Sequence, residues 1–291
     1  MNKVPFSRII AGAMSWGVWG KNLDTRQMAD LMRVCLESGI TSFDHADIYG
    51  DYTTEAAFGE ALTQSGIDRL EVQLISKCGI QMASPGRSSN VVKHYEYSKD
   101  YIVWSVEQSL KSLRTDYLDL LLLHRPSPLL RAGEIAAAVD QLKGEGKIRA
   151  FGVSNFTPAQ VDLVQKQISI EYNQIEFSVT HHEPMLDGSL DHMQTHGIVP
   201  MAWSPLGSVF KKDDEQALRL RQVLTGLVEK YGVPVDHLLI AWIMKHPAGI
   251  LPVCGTADRT RLVSLIKATK VELELQDWFT LWEASRGREV P

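Results

Sequence analysis

Residues 43–50 read FDHADIYG: an apolar run closes on an acid, Asp44, and a phenol, Tyr49, follows five positions later. Two later runs close in the same way. LEVQLISK (70–77) delivers Lys77 and YLDLLLLH (117–124) delivers His124. Apolar runs of this length bounded by turn signals are candidate buried strands. In a parallel α/β fold the carboxyl ends of such strands share one face, and ligands bind there. An acid, a phenol, an amine and an imidazole brought to one face would make a proton-donating site.

Outward from these three runs the same unit repeats. SRIIAGAM (7–14) precedes TRQMADLMRVCLESG (25–39), whose apolar Met28, Leu31, Met32, Val34, Cys35 and Leu36 follow helical spacing and stop at Gly39. TEAAFGEALTQSG (54–66) is a helix after the Tyr49 turn, and Ser98 is an N-cap for the helix that follows Lys77. EIAAAVDQLKGEG (134–146), IRAFGVS (148–154) and TPAQVDLVQKQ (157–167) continue the alternation, with Thr157-Pro158 as a helix start. IEYNQIEFS (170–178), SLDHMQTHG (189–197) and IVPMAWSP (198–205) follow, then helices at 215–232 and 235–247, ILPVCGT (250–256) and DRTRLVSLIKATK (258–270). Eight strand candidates alternating with helices, with no reversal of the pattern, argue for a parallel sheet covered on its faces. At 291 residues that favours an α/β fold of the (β/α)8 TIM-barrel type, one domain over 1–291, above a doubly wound sheet. No G-x-G-x-x-G fingerprint is present. The stretch 80–97 reads as a long irregular loop over the site.

Composition narrows the class. The chain is 44% apolar with net charge −5 and a pI near 6.0, and its longest charged block is KKDDE at 211–215. That gives no footprint for nucleic acid or an anionic membrane. Cys35, Cys78 and Cys254 are odd in number and widely spaced, which reads as free thiols in a reducing compartment. Neither a signal peptide nor a transmembrane helix is expected. The expectation is a cytoplasmic globular protein.

The chemistry follows from the residue types. A carbonyl that accepts hydride needs a proton on oxygen, and a phenol can donate one, although its reference pKa of about 10 is high. A neighbouring ammonium would lower that value and a carboxylate would hold the ammonium, which are roles for Lys77 and Asp44. His124 would orient the carbonyl or donate to its oxygen. Taken singly, Tyr49 reads as structural, Asp44–Lys77 as a buried ion pair and His124 as the cap of a core strand. Their joint occurrence on three successive βα units carries the catalytic reading. A metal set of Asp44, His45, Asp47 and His124 lacks the His-x-His pair usual in barrel hydrolases, so no metal is expected. His181-His182 reads as a loop pair, and the Asn155-Phe156-Thr157 sequon as coincidence. Arg261, shared with Arg259, lies at the start of a helix whose free N–H groups suit a phosphate.

Together these motifs resemble the aldo-keto reductase family along the whole chain. The resemblance implies a (β/α)8 barrel using NADP(H), acting on a small-molecule carbonyl, with a tetrad of Asp44, Tyr49, Lys77 and His124. It further implies that Ser154 and Asn155 (GVSNF) and Gln174 (YNQIEFS) hold the nicotinamide amide, and that Trp203, in a segment with Ser204 and Leu206, stacks on its ring. Gly255, Thr256, Arg259 and Arg261 match the segment for the 2′-phosphate, and Trp16 lies in a region that lines the family's substrate pocket, though it also reads as core or rim packing. This sequence departs in placing His45 where a small residue is usual, and Ser264 and Leu265 where adenine contacts are usual. The short tail implies an open pocket whose specificity lies in 80–97, 207–216 and the last twenty residues. Some barrels of this kind act instead as cofactor-sensing partners of membrane proteins, the alternative to an enzyme.

Overall fold

The computed structural model describes residues 6–290. Eight parallel strands close into a barrel: β1 (Ile10–Gly12), β2 (Ser42–Asp44), β3 (Gln73–Cys78), β6 (Leu118–Leu123), β7 (Ile148–Ser154), β8 (Tyr172–Glu176), β9 (Val199–Trp203) and β10 (Leu251–Cys254). Their order around the barrel is their order in sequence, with β10 returning to pair with β1 through Ile10↔Val253. Each strand arises from one of the eight apolar runs. Around them lie α1 (Thr25–Glu37), α2 (Thr54–Ser65), α3 (Lys99–Leu113), α4 (Ala132–Gly144), α5 (Pro158–Gln165), α6 (Ser189–Thr195), α7 (Glu215–Tyr231), α8 (Val235–Met244), α9 (Arg259–Leu265) and α10 (Leu275–Arg286). Local chemistry sets several starts: Ser98 caps α3, and Thr157 forms a capping box with Gln160 ahead of Pro158.

Side chains alternate across a strand, so each barrel strand has an inner and an outer set. The inner set packs as Ile10, Ile75, Leu120, Leu122, Ala150, Tyr172, Met201 and Val253. The outer set, including Phe43, Leu74, Leu121, Leu123, Phe151 and Val153, packs against the helices. Each fully buried side chain of this kind stabilises the fold by roughly 1.5–3 kcal/mol relative to exposure. Gly152 belongs to the inner parity, and a Cβ there would lie 2.5 Å from the Tyr172 carbonyl oxygen, so the barrel closes on Tyr172 only because that position is bare.

The alternation also places the chemistry. Continuing each inner set by two residues reaches Lys77 after Ile75, His124 after Leu122, Gln174 after Tyr172 and Trp203 after Met201. On β2, Phe43 points outward and Asp44 therefore inward. The polar residues form the top layer of the barrel interior, at the carboxyl ends of the strands. At the opposite end Asp119 is fully buried, accepting from Arg69, Arg149 and the Leu74 amide at 2.7, 2.9 and 2.9 Å. That anchor fixes the barrel floor.

One sequence expectation needs refinement. The 80–97 segment is not irregular throughout: β4 (Ile80–Gln81) and β5 (His94–Tyr95) pair antiparallel and a 3-10 turn forms at Pro85–Arg87, with loop between them. Strands of two residues leave no periodicity to read, and the Arg87 guanidinium, 4.4 Å from the Tyr52 ring and 4.7 Å from the Trp104 ring, anchors the flap through tertiary contacts. The last twenty residues contain α10, a helix that the sequence expectation did not include. Trp278 in α10 stacks on Trp242 in α8 with centroids 4.9 Å apart, and the two indoles donate to each other's backbone carbonyls.

Candidate active site

Lys77 is fully buried, and its ammonium makes three hydrogen bonds: to Asp44 Oδ2 at 2.6 Å, to the His45 carbonyl at 2.7 Å and to Tyr49 Oη at 3.1 Å. An ammonium has three protons, so all are used. The other Asp44 oxygen accepts from Gln174 Nε2 at 2.8 Å, which ties β2 to β8 across the barrel. His124 stands edge-on to the Tyr49 ring with centroids 6.0 Å apart. Its Nδ1 is buried without a partner, which leaves Nε2 as the ring nitrogen that reaches the cleft. The four residues expected to converge do so.

The electrostatics correct one expectation. Burial pushes the Tyr49 phenol above its ordinary value of 10.0, and the pull of Lys77 and Arg125 the other way does not overcome it. The neighbouring ammonium therefore moderates the phenol without making it acidic. For Lys77 burial works to lower the ammonium, but Asp44 and Tyr49 outweigh it and hold Lys77 above its ordinary 10.5. Burial, reinforced by Lys77, Arg125 and Lys93, drives His124 well below 6.5. At neutral pH the site thus holds a protonated phenol, an ammonium and a neutral imidazole.

Beside the tetrad a second polar group forms. Ser154 Oγ donates to the Gln174 carbonyl at 2.8 Å and accepts from Asn155 Nδ2 at 2.7 Å, while Trp203 Nε1 donates to Asn155 Oδ1 at 2.9 Å. Asn155 and Ser204 both take positive φ, 59° and 51°, just past the ends of β7 and β9, the two strands that flank β8. The structure brings Ser154, Asn155, Gln174 and Trp203 together. Leu206 is half-buried and packs against the core beyond them.

Trp16 is core, which decides between its two readings. It is fully buried, its ring centroid lies 5.9 Å from that of Phe43, and its indole donates to the Thr256 carbonyl at 3.0 Å. Trp19 is the aromatic residue at the cleft, 45% exposed with its ring 6.3 Å from that of Tyr49. Sequence reading overlooked Trp19, although GAMSWGVW contains both rings. Ser15 Oγ, donating to the Gly255 carbonyl at 2.8 Å, joins Trp16 in tethering the 255–256 segment to the first loop.

Arg259 and Arg261 are exposed on the first turn of α9, and the Asp258 carboxylate caps that turn by accepting the Arg261 amide at 2.9 Å. Ser264 pairs with His237 Nε2 at 2.9 Å, and Leu265 is buried in the core. Neither is presented to a ligand beside Arg261.

Arg125 also escaped the sequence reading. Its guanidinium lies 5.3 Å from the Trp203 ring centroid, and among the described residues it has no hydrogen bond or ion pair. Tyr97 sets it there: the phenol donates to the Arg125 carbonyl and accepts its amide at 3.2 Å. Gly79, at φ 108°, makes room, since a Cβ would lie 2.0 Å from the Tyr97 ring. The signal was the dipeptide after His124, visible but without a template.

The metal set does not assemble. The His45 ring packs edge-on to Phe58 at 4.2 Å, and burial lowers it to about 3. Asp47 accepts from Ser105 at 3.2 Å behind the site, where burial and the Glu55 charge raise it to about 8. His181 and His182 take separate partners: His181 faces Glu183 at 3.4 Å and His182 packs on Trp282.

A family model described as the aldo/keto reductase family matches residues 8–286. The chain belongs to the aldo/keto reductase family. It is 42% identical to the uncharacterized oxidoreductase YcsN of Bacillus subtilis (strain 168), covering 98% of this chain and 96% of that one. It is 38% identical to a 6-dehydroglucose reductase of Agrobacterium fabrum, covering 99% and 97%. A crystal structure of an aldo/keto reductase from Klebsiella pneumoniae in complex with NADP and acetate superposes with TM-score 0.78 at 25% identity, covering 98% and 93%. These oxidoreductase relatives, together with the barrel, make this aldo/keto reductase an oxidoreductase by family. Among the described residues no helix is long and apolar enough to cross a membrane.

Proposed function

We propose that the protein is an NADPH-dependent reductase of aldehyde or ketone carbonyls, with Tyr49 as the proton donor. The observation that carries this reading is the direction of the Lys77–Tyr49 bond. Because the ammonium donates to the phenol oxygen at 3.1 Å, the phenol's own proton stays free for a substrate oxygen. Asp44 holds the ammonium and Gln174 holds Asp44, so the donor is fixed before substrate arrives, as electrostatic preorganisation requires.

The residues present fit a nicotinamide dinucleotide. Ser154, Asn155 and Gln174 offer amide and hydroxyl partners in one row, and Trp203 offers an aromatic face beside them. A Cβ on Gly255 would meet nothing within 4 Å, so open space lies beside that backbone, and Arg259 and Arg261 would hold the 2′-phosphate. The cofactor, when bound, supplies the hydride. Tyr49 Oη gives its proton to the carbonyl oxygen, and the resulting phenolate keeps the Lys77 ammonium as its counter-charge until water returns the proton. Neutral His124 donates from Nε2 to the same oxygen and orients the carbonyl. The unpaired Arg125 adds positive potential where negative charge develops.

The relative named as a 6-dehydroglucose reductase supports a polyhydroxylated aldehyde as the substrate class, for which Arg125 and the exposed Lys93 of the flap offer hydrogen-bond donors. Buried free thiols at Cys35, Cys78 and Cys254 support a reducing, cytoplasmic setting. The test is to mix the protein with NADPH and a panel of aromatic, aliphatic and sugar aldehydes and follow absorbance loss. Turnover with sugar aldehydes that vanishes in Tyr49→Phe is the expected result. Tight NADPH binding with negligible turnover on the whole panel would favour the cofactor-sensing partner instead.

A further inference from the structure

Away from the cleft, three side chains on two neighbouring helices converge. Asp162 comes from α5, His192 from α6, and His196 from the residue that closes α6. The two histidines are four residues apart, so they share one helix face, and their ring centroids are 4.3 Å apart. His192 Nε2 lies 2.7 Å and His196 Nε2 4.0 Å from the same oxygen, Asp162 Oδ1. One ligand atom from each residue lies within 4.8 Å of the other two. The catalytic chemistry uses none of the three.

We propose that Asp162, His192 and His196 form a binding site for a transition-metal dication, with Zn2+ the best match. Two imidazoles and one carboxylate are a zinc donor set, and three protein ligands leave a fourth tetrahedral position for water. Zinc–ligand bonds of about 2.0–2.2 Å place tetrahedral ligands roughly 3.3 Å apart, and the observed 2.7 and 4.0 Å bracket that spacing. Small rotations of His196 and Asp162, both exposed, would even it out. His192 has a side chain only 13% exposed and anchors the site. Mg2+ and Ca2+ prefer oxygen ligands and would not compete. The metal takes the place of the hydrogen bond between His192 Nε2 and Asp162 Oδ1, and because protons compete with a metal for such ligands, binding weakens in acid.

The position in the fold indicates the consequence. The α5 helix follows β7, α6 precedes β9, and both lie in the outer ring. A bound ion ties together the βα units on either side of β8 without touching the cleft. Metal binding therefore raises thermal stability and leaves the reaction itself unchanged.

The experiment uses the full chain, stripped with chelator and dialysed, then titrated with Zn2+ by calorimetry and with Co2+ by visible absorption. Saturation at one equivalent, tetrahedral Co2+ bands and a Zn2+-dependent rise in Tm are expected, with no response to Mg2+. His196→Ala and Asp162→Asn should each weaken Zn2+ by about tenfold or more, since even an outer-shell partner costs about 10–100-fold. Both variants should lose the Tm rise and keep wild-type reductase activity. No saturable Zn2+ binding in wild type, or one equivalent bound equally well by both variants, overturns the site.

Discussion

Lys77 Nζ lies 3.1 Å from Tyr49 Oη and reaches that oxygen as a donor, its two other protons going to Asp44 and the His45 carbonyl. With every ammonium proton committed, the geometry has one outlet: the phenol proton, aimed away from Lys77. Burial keeps that phenol protonated and Lys77 keeps its conjugate base tolerable. Donor strength and donor supply are thus set by different neighbours.

Tyr49→Phe removes the outlet alone. Loss of a positioned general acid should lower kcat by about 10²–10⁴, while fluorescence titration finds NADPH affinity near wild type. A kcat within a few-fold of wild type would show that another group donates the proton.

Lys77→Met strands the Asp44 carboxylate in a fully buried place, with only Gln174 left to it. Removing one partner of a buried pair costs about 3–5 kcal/mol, so a marked fall in Tm should accompany the loss of turnover. Asp44→Asn keeps the ammonium beside the phenol and should be the milder change in kcat. The reverse order of severity would break the proposed coupling of Lys77 to Tyr49.

The pH profile should be flat through neutrality. Tyr49 lies above 10.0, Lys77 above 10.5 and His124 well below 6.5, so none of them changes charge between those limits. Measured kcat/KM for reduction should fall only on the alkaline side, as the phenol ionises. A loss of activity with a midpoint near 6.5 would mean that His124 works as an imidazolium.

Asp47 gives a stability effect of definite sign. Its folded value is about 8, raised by burial and by Glu55, against about 3.9 in an unfolded chain. Between those values the unfolded chain holds fewer protons, so the contribution of Asp47 to stability declines as pH rises from about 4 to about 8. Asp47→Asn should therefore gain on wild type across that range, with a larger Tm difference at pH 8 than at pH 5. Equal differences at both pH values would mean that Asp47 is ionised in the folded protein throughout.

Arg261→Ala probes cofactor choice. A guanidinium facing a 2′-phosphate is worth about 1.5–3 kcal/mol, and NADH has no such phosphate. Wild type should bind NADPH at least about tenfold more tightly than NADH, and the variant should lose most of that gap through NADPH alone. Asp258, capping the same turn, works against the dianion, so Asp258→Asn should widen the preference. Equal binding of both nucleotides by wild type would remove Arg261 from the phosphate site.

The sequence by itself determined the barrel, its eight strands and the four residues at its mouth. Burial on both faces makes barrel strands continuous apolar runs, and a polar residue ending such a run is conspicuous whatever its partners. LDLLLL before His124 and QLIS before Lys77 needed no long-range information. Other features depended on side chains distant in sequence. Trp16 and Trp19 are three residues apart, and only the Phe43–Phe58 packing and the Thr256 carbonyl buried one and left the other beside Tyr49. The 80–97 flap has strands of two residues, too short for any period, and is held by Arg87 between Tyr52 and Trp104. The phenol's pKa turned on desolvation, a property of the assembled site that no residue type carries. Asp162, His192 and His196 met because α5 and α6 pack side by side. Periodicity records which face a residue takes, and only packing decides what that face meets.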